Sequence, residues 1–371
     1  MSGAIGTSNE YGLYGALTGN VLQDSTTIKQ QLDTLTEQAG TGYVSDSYAG
    51  LGAGAAGTAL SLQPQIASLQ AYQNNISAAA ATMGVSQTAL TQISAIASNF
   101  YAQVVNLNGL DPSEVDSVAS DAQSALQQVA GLLDTTEGGS YVFAGQDSNN
   151  PPVPNPDAIT SSGFFTQIQA AVAGLASSGG AATSQAVIAI AASNAATTSP
   201  FSAALSQPAS ALANFVPTVA NAPGQQTAIG VVASANAAVA SAGTPATTTG
   251  SYTRDILCAL ATIGSLTSGQ VNVAGFSTVV GNVYTSLGNA ITALNQDAGV
   301  LGDTQSALQT QATTQANVST ALRTQVGNVE DVNMAQTLSQ LTQTQTRLQA
   351  SYQLITGLQT LTLAKFLPAG A

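Results

Sequence analysis

The chain has 371 residues, 44% of them hydrophobic but only 5% aromatic, so it is long enough for two or three domains, too apolar to be wholly disordered, and poor in large side chains for a core. Five basic residues (Lys29, Arg254, Arg323, Arg347 and Lys365) stand against eighteen acidic ones, a formal net charge of -13, which argues against nucleic acid and anionic membrane surfaces as partners. With no histidine, no tryptophan and one cysteine, Cys258, the chain has no means to form an intramolecular disulfide, a zinc site built on His and Cys, or a catalytic triad with an imidazole base.

Residues Met1 to Gly12 show little pattern and are expected to be loose. The N-terminus lacks the basic start and apolar core of a secretory signal, and no run of eighteen apolar residues exists to cross a membrane. The first helical stripe runs through Leu13, Leu17, Val21, Ile28, Leu32 and Leu35 and stops near Gly40 and Gly42. Thr41 to Gly57 is glycine-rich and reads as a loop. Within it, Gly52-Ala53-Gly54-Ala55-Ala56-Gly57 has the spacing of a dinucleotide-binding turn. It lacks a preceding strand and an acidic residue near Ser77, so it is read as a connection between helices.

From Leu60 a long helix is predicted on the seam Ile66, Leu69, Gln73, Ile76, Ala80, Met83, Gln87, Leu90, Ser94, Ala97, Tyr101 and Val104. At 1.5 Å per residue it would be roughly 60 Å long, too long to be the core of a compact globule. Asp111 and Pro112 then supply an N-cap and a first helical residue for a helix on Val115, Val118, Ala122, Ala125, Val129 and Leu132. Gly138-Gly139-Ser140 ends the helical run, and Tyr141 to Gly145 has the β-branched and aromatic character of a short strand. Nine of the twelve prolines fall between Pro151 and Pro245, and no charged residue occurs from Ala158 to Thr253. The patterned Ile168, Val172 and Leu175, and Val187, Ile188 and Ile190, favour a small ordered domain over loose decoration.

Helix resumes at about Thr253, where Cys258 sits on an apolar face and reads as a buried thiol. From Leu287 a second seam passes through Ile291, Leu294, Ala298, Leu301, Gln305, Leu308, Ala312, Gln315, Ser319, Leu322, Val326 and Val329. Adjacent residues face different ways on a helix, so Glu330-Asp331 marks a hinge or helix start, not a catalytic carboxylate pair. Near it the register slips, mirroring the break at Thr41 to Gly57. The last helix carries the seam Met334, Leu338, Leu341, Gln345, Leu348, Tyr352 and Ile355, then becomes apolar on several sides through Leu354, Leu358, Leu361, Leu363, Phe366 and Leu367. Neighbouring copies would satisfy such a helix more easily than the chain itself. The seam glutamines, Gln73, Gln87, Gln305 and Gln345, are read as selecting the register of packed helices.

Together these patterns predict a mainly α fold: a long antiparallel, coiled-coil-like helical bundle built from the N- and C-terminal segments, with an inserted mixed or irregular middle domain. The segments are 1–45, an N-terminal polymerisation helix; 46–140, a long-helix rod; 141–252, a charge-poor middle domain; 253–328, a second rod; and 329–371, a C-terminal polymerisation helix.

Asp331-Val332-Asn333-Met334-Ala335, Leu338, Leu341, Gln345 to Ser351 and Leu361-Thr362-Leu363 form a pattern that resembles the C-terminal signature of the bacterial flagellin family. Thr41-Gly42-Tyr43, Ala49-Gly50-Leu51 and Gln73-Asn74-Asn75-Ile76 are similar to its N-terminal motifs, and Gly139 to Gly145 resembles the Gly-x-Tyr-x-Phe-Ala-Gly segment of its hook-filament junction members. The resemblance spans about Leu13 to Gly145 and Leu287 to Leu367. It implies subunits that stack into a helical tube, terminal helices innermost and middle domain outermost, after export without a cleaved signal peptide. The polymerisation interface it implies comprises Leu13, Leu17, Val21, Ile28, Leu32 and Leu35 with Leu338, Leu341, Leu348, Tyr352, Ile355, Leu358, Leu361 and Phe366. It also implies self-association, partners among hook, junction and cap proteins and an export chaperone, no cofactor or metal, and no enzymatic activity. A hook-associated junction subunit shares almost all of these features, and a secreted surface adhesion module is the reading from another class.

Overall fold

The structure, a computed structural model, describes the backbone of residues 8–236 and 238–366 and the side chains of residues 19–236 and 238–357. In order, its elements are α1 (Ser8–Thr41), α2 (Ala53–Val104), α3 (Pro112–Leu133), the hairpin β1 (Thr136–Glu137) and β2 (Ser140–Tyr141), α4 (Gly163–Ala173), α5 (Leu175–Ser178), α6 (Gly180–Ala192), α7 (Ala209–Leu212), the hairpin β3 (Thr218–Ala222) and β4 (Gln225–Ala228), α8 (Tyr252–Gly264), α9 (Phe276–Glu330) and α10 (Met334–Phe366). The fold is mainly α with an inserted, mixed middle segment, as the periodicities predict. Two compact units form, one from Met1–Ser68 with Asn317–Ala371, the other from Leu69–Ala316.

In the second unit α2 and α9 run antiparallel. Tyr101 stacks on Tyr284, the Ser94 hydroxyl donates to Asn295 Oδ1 at 2.9 Å, and Gln305 Nε2 donates to the Ala80 carbonyl at 2.9 Å. Along both helices every seam position named from the sequence is buried or half-buried. Gln305 fixes register directly, because any axial slip would take its amide away from Ala80. Gln315 takes a different role. Its amide donates to the Asn221 carbonyl at 2.6 Å and, with Gln311, anchors the β3–β4 hairpin. Asp111 caps α3 as predicted, its N–H donating to the Glu114 carboxylate at 3.0 Å with Pro112 in the first turn.

All thirteen residues of α8 are buried, with α3, α4 and α6 packed against it. Small residues allow this: a Cβ on Gly264 would stand 2.9 Å from Gln123 Cγ, and Gln123 Nε2 donates to the Gly264 carbonyl at 2.6 Å. The chargeless run preceding α8 ends on two buried charges that organise it. Arg254 donates from Nε to the Ser234 carbonyl (3.0 Å), from Nη1 to the Ala191 and Ser193 carbonyls (2.9 and 3.3 Å) and from Nη2 to Asn194 Oδ1 (2.8 Å), and it lies 5.1 Å above the Phe201 ring. Asp255 accepts from Thr248 Oγ1, Thr249 N and Thr249 Oγ1 at 2.6, 2.6 and 2.7 Å. From α9, Asp297 accepts from the Ala238 and Val239 amides at 3.0 and 2.8 Å. Burial lowers the Arg254 pKa to about 10 and raises that of Asp255. Three buried charges thus hold the irregular backbone that precedes α8.

Three local expectations are corrected. Helix α1 is already formed at Ser8, the first described residue, ahead of Leu13. Helix α2 begins at Ala53, not Leu60, so the glycine-rich connection is shorter than its composition suggests. Gly52 (φ +81°) ends a short 3-10 turn at Tyr48–Leu51, while Gly54 and Gly57 lie inside the helix, where alanine neighbours offset their weak propensity. At Tyr141 to Gly145 only Tyr141 is strand. It pairs with Thr136 around Gly138-Gly139, whose φ values of +59° and +85° suit a two-residue hairpin turn. Val142, Phe143 and Ala144 then turn inward as buried residues. At Gly145 (φ +65°) a Cβ would stand 2.5 Å from the Phe215 carbonyl oxygen.

Two measurements test this unit. Replacing Arg254 with methionine strips the donors from the Ala191, Ser193 and Ser234 carbonyls and should cost about 3 kcal/mol in urea denaturation. Asp134, half-buried at the end of α3, accepts from the Val153 amide at 2.8 Å, yet burial pushes its carboxyl up to about 6 from an ordinary 3.8. The folded chain therefore holds this proton more tightly than the unfolded one, so ionisation is destabilising. This contribution is absent below about pH 4 and complete above about pH 6. Asp134→Asn should raise the thermal midpoint at about pH 7, with the gain over the parent disappearing as pH falls to about 4.

Candidate polymerisation surface

The first unit is built around two breaks in the helices that meet. Helix α1 stops where Gly42 takes φ +78°, its amide donating to the Gln38 carbonyl at 2.9 Å, and Gln38 Nε2 donates onward to the Val44 carbonyl at 2.9 Å. The chain at Gly42 to Val44 pairs with the chain between α9 and α10: Val44 N donates to the Glu330 carbonyl at 2.7 Å and Val332 N to the Gly42 carbonyl at 2.9 Å, an antiparallel bridge at Tyr43 and Asp331. Asn333 starts α10, its side-chain oxygen accepting from Gln336 N at 3.2 Å and its carbonyl from Thr337 N at 2.9 Å. Glu330-Asp331 is therefore part of a joint, as the spacing predicts.

From this joint α1 and α10 run back antiparallel, packed against each other. Leu35 and Ser25 are buried on α1, with Val21, Ile28 and Leu32 half-buried. Among the described side chains of α10 the buried residues are Thr337, Thr344 and Ser351, alternating with half-buried Leu341, Leu348 and Ile355. The repeat is still seven residues, but the intrachain seam is rotated from the one read off the apolar residues. Positions that would hold a second leucine hold a hydroxyl, which allows closer helix approach. Gln345 is exposed and selects no register within the chain.

Large side chains are consequently left outside. Met334, Leu338 and Tyr352 are 41%, 48% and 51% exposed and flank the seam as a stripe interrupted by exposed Gln345. Leu354, 64% exposed, and Leu22 on α1, 56% exposed, stand apart from it. Of the predicted interface residues, Val21, Ile28, Leu32, Leu35, Leu341, Leu348 and Ile355 are at least half-covered within the chain, whereas Leu338 and Tyr352 are open. The side chains of Leu13, Leu17, Leu358, Leu361 and Phe366 lie outside the described residues, as do those of Leu363 and Leu367. Sequence reasoning missed the buried hydroxyls, although Thr337, Thr344 and Ser351 recur every seven residues beside the leucines.

Comparison with known families bears directly on these helices. The model of the bacterial flagellin N-terminal helical region matches residues 16–148, and that of the C-terminal helical region matches residues 284–367. The chain belongs to the bacterial flagellin family. The two matches take in most of α1, all of α2 and α3 with the β1–β2 hairpin, most of α9 and all of α10, while residues 149–283 lie between them. No curated protein sequence matches the chain. Flagellins are structural components of an extracellular filament, so the family sets the class of function. Among the described residues, no helix is long and apolar enough to cross a membrane, and no three His, Cys, Asp or Glu residues are grouped to hold a metal ion. Cys258 is buried, donates to the Val187 carbonyl at 3.4 Å and has its thiol pKa pushed far up by burial, which suits a packing role.

The seam and the stripe should respond differently to truncation. Leu35→Ala should weaken the α1–α10 pair by about 2–3 kcal/mol, seen as faster amide hydrogen exchange in both helices. Leu338→Ala should alter the monomer by less than about 0.5 kcal/mol in the same measurement.

Proposed function

We propose that the chain is a flagellar filament subunit that polymerises through α1 and α10. The observation that carries this reading is the open stripe of Met334, Leu338 and Tyr352 on a helix whose adjoining face is already filled by α1. Apolar side chains exposed on one side of a helix lose contact with water only when another surface covers them. In a chain of this family that surface is a second subunit. Hook, junction and cap proteins and an export chaperone are the partners such a subunit would meet. Residues 149–283, outside both family matches and almost free of charge, would face the surroundings of the polymer.

A junction subunit is the second reading, favoured by the Gly-Ser-Tyr-Val-Phe-Ala-Gly segment at residues 139–145, where Phe143 is buried and Gly145 meets the Phe215 carbonyl. Copy number separates the two. Mass spectrometry of sheared filaments should find this chain as the main component, and a trace amount would favour the junction role. For polymerisation itself, Leu338→Ser combined with Tyr352→Ser should leave the monomer's circular dichroism unchanged and abolish filaments in electron micrographs. Filaments of normal length from that double variant would remove α10 from the interface.

A further inference from the structure

We infer that Tyr101 and Tyr284 form a site for oxidative phenol coupling, poised to link α2 and α9 as an intramolecular dityrosine. The two rings stack with centroids 4.3 Å apart and planes inclined by 15°, and Tyr101 Oη donates to Tyr284 Oη at 2.5 Å. With the rings nearly parallel and the hydroxyls in contact, the carbons on either side of each hydroxyl are brought toward those of the other ring. Those ortho carbons are the positions at which phenoxyl radicals join. In the coupled product both hydroxyls sit next to the new bond and within hydrogen-bonding reach of each other, the relation they already have here.

The surroundings hold this geometry. Tyr284 and Gly288 are one turn apart on α9, and a Cβ on Gly288 would stand 3.0 Å from Tyr101 Cε2, itself an ortho carbon. Glycine thus lets the Tyr101 ring lie close against α9. Both tyrosines are half-buried, open enough to lose an electron to an external oxidant yet screened by their helices from a second molecule. Among the described residues no other two tyrosine rings stack. Tyr43, Tyr48 and Tyr352 are 40–51% exposed and suited to coupling between molecules, while Tyr252 is fully buried.

The step balances with hydrogen peroxide and a haem peroxidase as the external oxidant. Each phenol gives up one electron and its hydroxyl proton, and the two electrons and two protons reduce one peroxide to two waters. The phenoxyls form one carbon–carbon bond between ortho positions, and each ring then moves its ortho hydrogen from carbon to oxygen. The product is two hydrogen atoms lighter than the starting chain. Because the residues are 183 positions apart, the link would close a very long loop and restrict the unfolded chain accordingly.

The test treats dilute full-length protein with the peroxidase and peroxide. The expected result is a monomer-sized product two hydrogen atoms lighter, with dityrosine fluorescence independent of protein concentration and a cross-linked peptide joining Tyr101 to Tyr284. Tyr101→Phe and Tyr284→Phe keep the stacked rings and the fold but remove one hydroxyl, and each should lower the monomer's fluorescence by roughly fivefold or more, since holding reactants in contact dominates such couplings. Gly288→Ala keeps both phenols and displaces the Tyr101 ring, so its yield should also fall. Dityrosine found only in dimers through Tyr43, Tyr48 or Tyr352, or an undiminished intramolecular yield in either Phe variant, would overturn the assignment. Parental yield in Gly288→Ala would overturn the claim that close packing positions the pair.

Discussion

Two backbone hydrogen bonds, from Val44 to Glu330 and from Val332 to Gly42, tie the break after α1 to the break before α10. Without them the two terminal helices would be separate amphipathic segments on mobile joints, each with too little apolar surface to hold the other. With them, α1 and α10 start from a common point in opposite directions, and the seven-residue repeats of both meet in register. That arrangement decides which side chains are used up within the chain and which remain exposed. Glycine at position 42 is part of the mechanism, because its positive φ lets the chain leave α1 at an angle that reaches the other break.

A second economy operates in the unit formed by Leu69–Ala316. The segment from Ala158 to Thr253 has no charges, so surface ion pairs cannot organise it; its buried apolar residues, Phe164, Phe165, Ile168 and Phe201 among them, join the core of the unit. The segment's irregular stretches are held by Arg254, Asp255 and Asp297, each buried and each bonded to several backbone or side-chain partners. Desolvating these groups is costly, but every one meets several partners of opposite polarity. Most of the chain's other charges remain on solvated faces.

Much of the architecture was legible from periodicity. Both long seams, Ile66 to Val104 and Leu287 to Val329, were readable because one helix face must be apolar over many turns, and the Asp111-Pro112 start follows from capping chemistry alone. Where reading failed, close approach was the cause. The start of α2 at Ala53 was obscured by Gly54 and Gly57, residues that usually signal a turn but are tolerated among alanines. The rotated seam of α10 was missed because large apolar residues attract attention, whereas Thr337, Thr344 and Ser351 occupy the tightest positions. The roles of Arg254 and Asp255 lay beyond local pattern, since adjacent opposite charges usually mark a solvated face and their partners are distant in sequence.

The burial of Arg254 also bears on how the chain meets proteases. Enzymes of trypsin-like specificity need an accessible lysine or arginine in a backbone that can adapt to their cleft. From Lys29 to Arg323 the sequence offers one such residue, Arg254, and it sits 6% exposed in a helix buried along its entire length. The whole middle of the folded chain therefore presents no usable cleavage point to that class of enzyme, a form of resistance that arises from what the surface lacks.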